Sequence, residues 1–394
     1  MIHPALLLII AIFCEVFVQF SKRALYWVTS TTSPAQYGAL LLGDLVFVAL
    51  IGTMLCHLKF QRRHWLLIGL FLCMLFYTTM LSGPAAAILA VRNTYLWILA
   101  ALLFALSAEQ PIRRDAAKAL VSPTQLLSVL LLTFAIFQVQ SDYAFEKPWF
   151  EFSGTSLNYD GVTNFGQAAK AFSMMSGPTD FAVFGLFAFA VGIATRTWGL
   201  PLLGGAIILM SGTRGVLIAI PAWVILTWVS ADNVRRNYLI FVAAFFVCIF
   251  IYSDELISLL YALPNSRFSL ATLAPRIELW LQLEPISVLS GGGIAANLAL
   301  DSLTDAPTVI DSGLIYLLTE LGGPLTLGLV FVYLSAARGD LLGSRRGVLQ
   351  MFIGVLLVAS IAQIPFHTRL SNFLICLIVY SGIYHAKTIQ IRRL

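Results

Sequence analysis

The chain has 394 residues, 59% of them hydrophobic and only 11% charged, with a formal net charge of +5. Mean hydropathy is +0.88, and so few charges cannot shield that much apolar surface from water, since an ordinary soluble domain carries about 25% charged residues. A soluble enzyme, a secreted disulfide module and a disordered chain are excluded, and the expectation is one all-α, polytopic integral membrane domain over residues 1–394.

A spanning helix needs about 20 mainly apolar residues. In chain order such runs fall at roughly 4–20, 36–57, 64–81, 93–108, 122–139, 178–195, 199–212, 214–230, 237–253, 311–336, 347–364 and 370–386, about twelve in all. The first run has no Lys or Arg before it and no small-x-small cleavage site near Phe20, so it reads as a retained span. With both termini in the cytoplasm, fifteen of the 24 Lys and Arg residues fall inside and nine outside. That is the expected positive-inside bias, with Lys22 and Arg23 as the local exception. Two long loops, about 141–177 and 254–310, then face outward, where an ordered outer layer is expected. Loops of that length carry function more often than short ones. The five cysteines all lie in or beside apolar runs, which argues against a disulfide framework or a zinc site. No basic run is long enough for a nucleic-acid arm, so no nucleic-acid partner is expected.

Ser211-Gly212-Thr213-Arg214-Gly215 joins two apolar runs. It puts Arg214 at the outer face on the first turn of a helix, against both the helix dipole and the positive-inside rule. A phosphate there would meet the guanidinium and free backbone N–H groups; the ordinary alternative is an arginine snorkelling to lipid headgroups. Ala274-Pro275-Arg276-Ile277-Glu278-Leu279-Trp280 predicts a short helix at the interface, with Trp280 anchoring it at headgroup depth and Arg276 in reach of an anionic lipid head. Ser290-Gly291-Gly292-Gly293 allows close backbone approach to a ligand, or is a plain flexible turn. Asp311, before Ser312-Gly313, is either a helix cap or a general base for a hydroxyl. Arg92 and Arg369 are predicted at outer ends of their runs, as further cations of the same site or as interfacial anchors. Asp160 and Asp180 are outer acids that bind sugar hydroxyls or cap helices, and His367 is the one outer histidine. Glu15, Asp44 and Glu320 fall inside apolar runs, where an acid either marks an ion path or hydrogen-bonds a neighbouring helix. Tyr143, Phe145, Trp149, Phe150, Phe152 and Tyr159 form an aromatic belt or stack on sugar faces.

The order of these features resembles the O-antigen ligase and Wzy-type O-antigen polymerase superfamily of membrane glycosyltransferases, over about residues 177–320. The matching pieces are Ser211 to Gly215, a large outer loop with Arg276 before Trp280, Gly291 to Gly293, and a following span ending in Glu320-Leu321-Gly322. The resemblance implies a GT-C-like helical fold and transfer of glycan from an undecaprenyl-pyrophosphate-linked oligosaccharide at the periplasmic face of the inner membrane. It implies no nucleotide sugar, metal or other cofactor. Arg214 and Arg276 would hold the pyrophosphate, and Asp311 is the nearest candidate for the base; beside these matching positions, Gly292 and the outer cations Arg92 and Arg369 complete the candidate substrate site. Membrane lipid and a chain-length regulator protein are the implied partners. Ligases of the superfamily resemble one another in having a histidine in the large loop. None stands between His64 and His367 here, which favours a polymerase over a ligase; the gathering of the candidate cations at one face argues against a lipid-linked glycan transporter.

Overall fold

The computed structural model describes residues 1–29, 34–107, 114–141, 143–144, 171, 173, 175, 177–229, 234–262, 274–281, 291–292, 312–336, 348–361 and 368–393. Asp311, Gly293, Asp160, His367 and the aromatics from Phe145 to Tyr159 lie outside the described residues, as does the side chain of Arg276. All regular structure among the described residues is helical: α1 Pro4–Thr29, α2 Pro34–Leu55, α3 Arg62–Ala90, a π turn Val91–Tyr95, α4 Leu96–Ser107, α5 Arg114–Gln140, α6 Pro178–Thr195, α7 Gly199–Ser211, α8 Arg214–Val229, α9 Val234–Ile251, α10 Ser253–Ala262, α11 Ala274–Leu281, α12 Gly313–Leu321, α13 Gly323–Ala336, α14 Val348–Ala359 and α15 Arg369–Arg393.

Six helices among the described residues are long and apolar enough to cross a membrane, and a seventh candidate is α9 with α10, which meet at 84°. The outward faces of several helices are apolar. Phe13, Phe17, Leu45, Trp65, Phe76, Met80, Ile88 and Phe137 are all exposed. A helix apolar all round yet largely uncovered, as over Arg62–Leu81, fits a hydrocarbon solvent and not water.

The chain divides into two compact units. The first holds Met1–Leu58, Ile112–Leu217 and Leu377–Leu394. Its centre is the antiparallel pair α6 and α7. Phe181, Phe184 and Phe187 are buried in α6, and glycines let the two backbones approach. A Cβ on Gly204 would lie 2.4 Å from the Gly185 carbonyl oxygen. Glu15, one of the three acids in apolar runs, accepts a hydrogen bond from Gln19 one turn on, at 3.3 Å, within α1 itself and not from a neighbouring helix. Tyr143, expected in an aromatic belt, is instead buried.

The second unit holds Lys59–Pro111 and Ile218–Cys376. Ile249, Leu260, Ile277, Trp280 and Ile315 form a core cluster that joins α9, α10, α11 and α12. α14 is buried along its whole length, and Gly354 lies under the Trp223 ring, where a Cβ would come within 2.0 Å of a ring carbon. Helix α3 starts with Gln61 N–H donating to His64 Nδ1 at 2.8 Å. That bond makes Nε2 the protonated nitrogen, so it donates to Ser107 Oγ at 2.8 Å.

Three further expectations change. The run at 311–336 is not one helix: α12 ends at Gly322 (φ 77), and α13 starts at Gly323 with Pro324 behind it. Glycine takes the positive φ and proline starts the next helix, a break that apolar composition hides. Arg92 is not at the end of its run. The chain kinks at Gly83 (φ 82), and Gly83–Ser107 then forms one apolar stretch with Arg92 inside it. Trp280 is not at an exposed interface; burial in the core cluster holds α11, and its ring lies 6.3 Å from that of Phe246.

Candidate functional site

The first unit builds the surroundings of Arg214. Helix α7 stops because Gly212 adopts a left-handed conformation (φ 62). Ser211 Oγ donates to the Ile208 carbonyl at 2.7 Å and accepts from Thr213 N–H at 3.1 Å. Thr213 Oγ1 donates to the Pro178 carbonyl at 3.1 Å, tying the turn to the start of α6. Upstream, Ala171 N–H donates to the Met210 carbonyl at 3.0 Å. Ala171 and Pro178 are thus each tied to residues flanking Gly212. Arg214 opens α8 half-buried, at a helix end whose first N–H groups point outward from the helix. Asp180 stands in the first turn of α6, where its charge favours the dipole.

The second unit assembles a different set. Gly292 N–H donates to the Thr319 carbonyl at 2.8 Å. Gly291 (φ 75) lies so close to the end of α12 that a Cβ would meet Gly322 N at 2.6 Å. Gly291 and Gly292 therefore form a docked strap across Glu320–Gly322. Glu320 is buried and accepts a short hydrogen bond from the hydroxyl of buried Tyr95. Tyr95 closes the π turn that carries Arg92, and the Trp97 indole donates to the Arg92 carbonyl at 2.8 Å. A π turn inserts one residue and frees a carbonyl, and such turns recur at functional sites. Gly291, Gly292, Glu320 and the Arg92 turn are thus linked through Tyr95 and α12.

The cap of α12 is Ser312, whose Oγ accepts from Ile315 N–H at 3.4 Å, so capping does not require Asp311. Arg369 opens α15 behind Thr368, whose Oγ1 accepts from Ser371 N–H at 3.2 Å. Arg214 and Arg369 share one setting: a threonine, then an arginine as the first residue of an apolar helix. Arg276 lies in α11, with its backbone in the second unit. Arg214 belongs to the first unit; Arg92, Gly292 and Arg369 belong to the second. Sequence reasoning missed Tyr95. An aromatic in an apolar run carries no signal until its partner, Glu320, is known. Among the described residues no group of three or more His, Cys, Asp or Glu side chains could hold a metal ion.

The described residues form an all-helical fold with helices suited to a membrane. No protein-family model, curated protein or solved structure matches it.

Proposed function

We propose that the chain is a membrane glycosyltransferase, a polysaccharide polymerase. It transfers an undecaprenyl-pyrophosphate-linked glycan onto an acceptor lipid-linked repeat unit at the periplasmic face of the bacterial inner membrane, in a twelve-span arrangement with two periplasmic loops. The observation that carries this reading is the setting of Arg214. A guanidinium on the first residue of an apolar helix opposes the helix dipole and is stabilised there by a bound anion, which the same N–H groups attract.

In the reaction the acceptor hydroxyl attacks the anomeric carbon, the bond from that carbon to the pyrophosphate oxygen breaks, and the hydroxyl proton goes to a base. Arg214 and Arg276 neutralise the charge that grows on the leaving pyrophosphate. Guanidinium suits this, being permanently charged and bidentate. Arg92 and Arg369 add positive charge, and Gly292 lets the backbone approach the sugar. Asp311 is the base. A chain-length regulator is the protein partner.

The test is turnover of lipid-linked repeat units by the full chain in detergent. Arg214→Ala and Arg276→Ala abolish polymer while the protein stays in the membrane, and lysine at either position restores it only in part. Long polymer in both alanine variants would reject the pyrophosphate role. Product formed without a second compartment separates a polymerase from a transporter. Normal turnover in Asp311→Asn would remove the base assignment alone.

A further inference from the structure

Ser173 falls in sequence between Ala171 and Pro178, which bond respectively to Met210 and to Thr213 on either side of the turn that leads into Arg214. Its backbone is left-handed (φ 53), a region that residues with a Cβ rarely adopt. Gln138, in the last turn of α5, holds it there with both ends of its amide. Ser173 N–H donates to Gln138 Oε1 at 3.0 Å, and Gln138 Nε2 donates to the Ser173 carbonyl at 3.3 Å. The residue is 1% exposed, yet its hydroxyl has no hydrogen-bond partner among the described residues.

Each of these facts is unfavourable by itself. A buried hydroxyl with nothing to bond costs stability, and so does a non-glycine residue at positive φ. Glycine would relieve both at once, because the clamp uses only the main-chain N–H and C=O. What serine adds here is its hydroxyl. A hydroxyl can donate one hydrogen bond, and the ligand chemistry already implied at this turn is anionic, through Arg214 and the start of α8.

We propose that Ser173 Oγ donates a hydrogen bond to a phosphate oxygen of the ligand gripped by Arg214, with Gln138 as the positioning residue that fixes it. The proposal rests on the pyrophosphate reading of Arg214 and deepens it. The ligand class is a diphosphate, either free or attached to a prenyl chain.

The experiment measures binding of two probes, inorganic pyrophosphate and farnesyl pyrophosphate, to the full chain in detergent, alongside melting temperature. Ser173→Ala and Ser173→Gly are each expected to weaken both probes by about tenfold, the effect of losing one charge-assisted hydrogen bond, without lowering the melting temperature. Gln138→Leu is expected to weaken both to a similar extent. Tighter binding of farnesyl pyrophosphate than of inorganic pyrophosphate supports a lipid-linked source; equal binding supports a free diphosphate at the same contact. Wild-type binding in both serine variants, with binding lost in Arg214→Ala, overturns the role of Ser173 and leaves the pyrophosphate reading standing. Weak binding in the alanine variant with normal binding in the glycine variant also overturns it, because only the backbone then matters. No binding of either probe to the wild-type chain overturns the pyrophosphate reading itself, and this proposal with it.

Discussion

Replacing Gly291 by alanine tests whether the glycine strap is docked. The new Cβ falls 2.6 Å from Gly322 N and from the Leu321 carbonyl carbon, and 2.7 Å from the Glu320 carbonyl oxygen. All three are main-chain atoms at a helix end, so no side chain can rotate away. The positive φ of Gly291 adds about 1–2 kcal/mol for any residue with a Cβ. Overpacking against a fixed wall costs about 1–3 kcal/mol. The strap can escape by lifting off, but it then loses the bond from Gly292 N–H to the Thr319 carbonyl, about 0.5–1.5 kcal/mol. Gly291→Ala should therefore lose about 3 kcal/mol of stability, read as a lower melting temperature in detergent, with faster proteolysis near residues 282–293 and loss of polymer. Gly205→Ala is the control. It sits in α7 with nothing within 4 Å of an added Cβ. Alanine there gains up to about 1 kcal/mol of helix propensity, so this variant should melt at or above the wild-type temperature. Equal melting of the two variants would refute the docking.

The bond between Tyr95 and Glu320 predicts coupling. Tyr95→Phe and Glu320→Leu should each destabilise the chain, by about 1–3 kcal/mol for a buried polar group left without its partner, and the double variant should lose clearly less than their sum. Additive losses in a thermodynamic cycle would show that the two side chains do not meet. Burial, and then the nearby Lys387 ammonium, hold the His57 imidazole below its ordinary range near 6.5. The folded chain therefore resists taking up that proton. The stability tied to neutral His57 is present above the unfolded value and is lost as pH falls through the folded one. Melting temperature should drop between pH 7.5 and pH 5.5, and His57→Gln should make that drop shallower; an unchanged slope would exclude His57 as its source.

Helix positions were legible in the sequence because hydropathy and the turn residues agree. Gly177 and Pro178 start α6 and Arg196 ends it, so the apolar run at 178–195 coincides with the helix. Breaks inside apolar runs were not legible. Gly322-Gly323-Pro324 carries no charge and leaves the hydropathy high, yet it divides the run at 311–336. Gly83 hid the length of the stretch that encloses Arg92 in the same way. At the candidate site the sequence marked Arg214, Gly292 and Glu320 as single points. It did not reveal that Gly292 docks on the helix that ends beside Glu320, because such pairing is set by backbone approach across distant segments. Trp280 was read as an interfacial anchor because a tryptophan flanked by leucines looks alike in a core and at a headgroup layer; the neighbours Ile249 and Phe246 decide it.

The order in which the strap and its seat are synthesised has a consequence for biogenesis. Gly292 is synthesised before Thr319, so the amide that Thr319 satisfies must wait until α12 has followed it out of the ribosome. Closing the strap is a late event in maturation. A nascent chain arrested before α12 emerges holds residues 291–292 open, and a chaperone or protease that favours extended glycine-rich backbone can act on them in that interval.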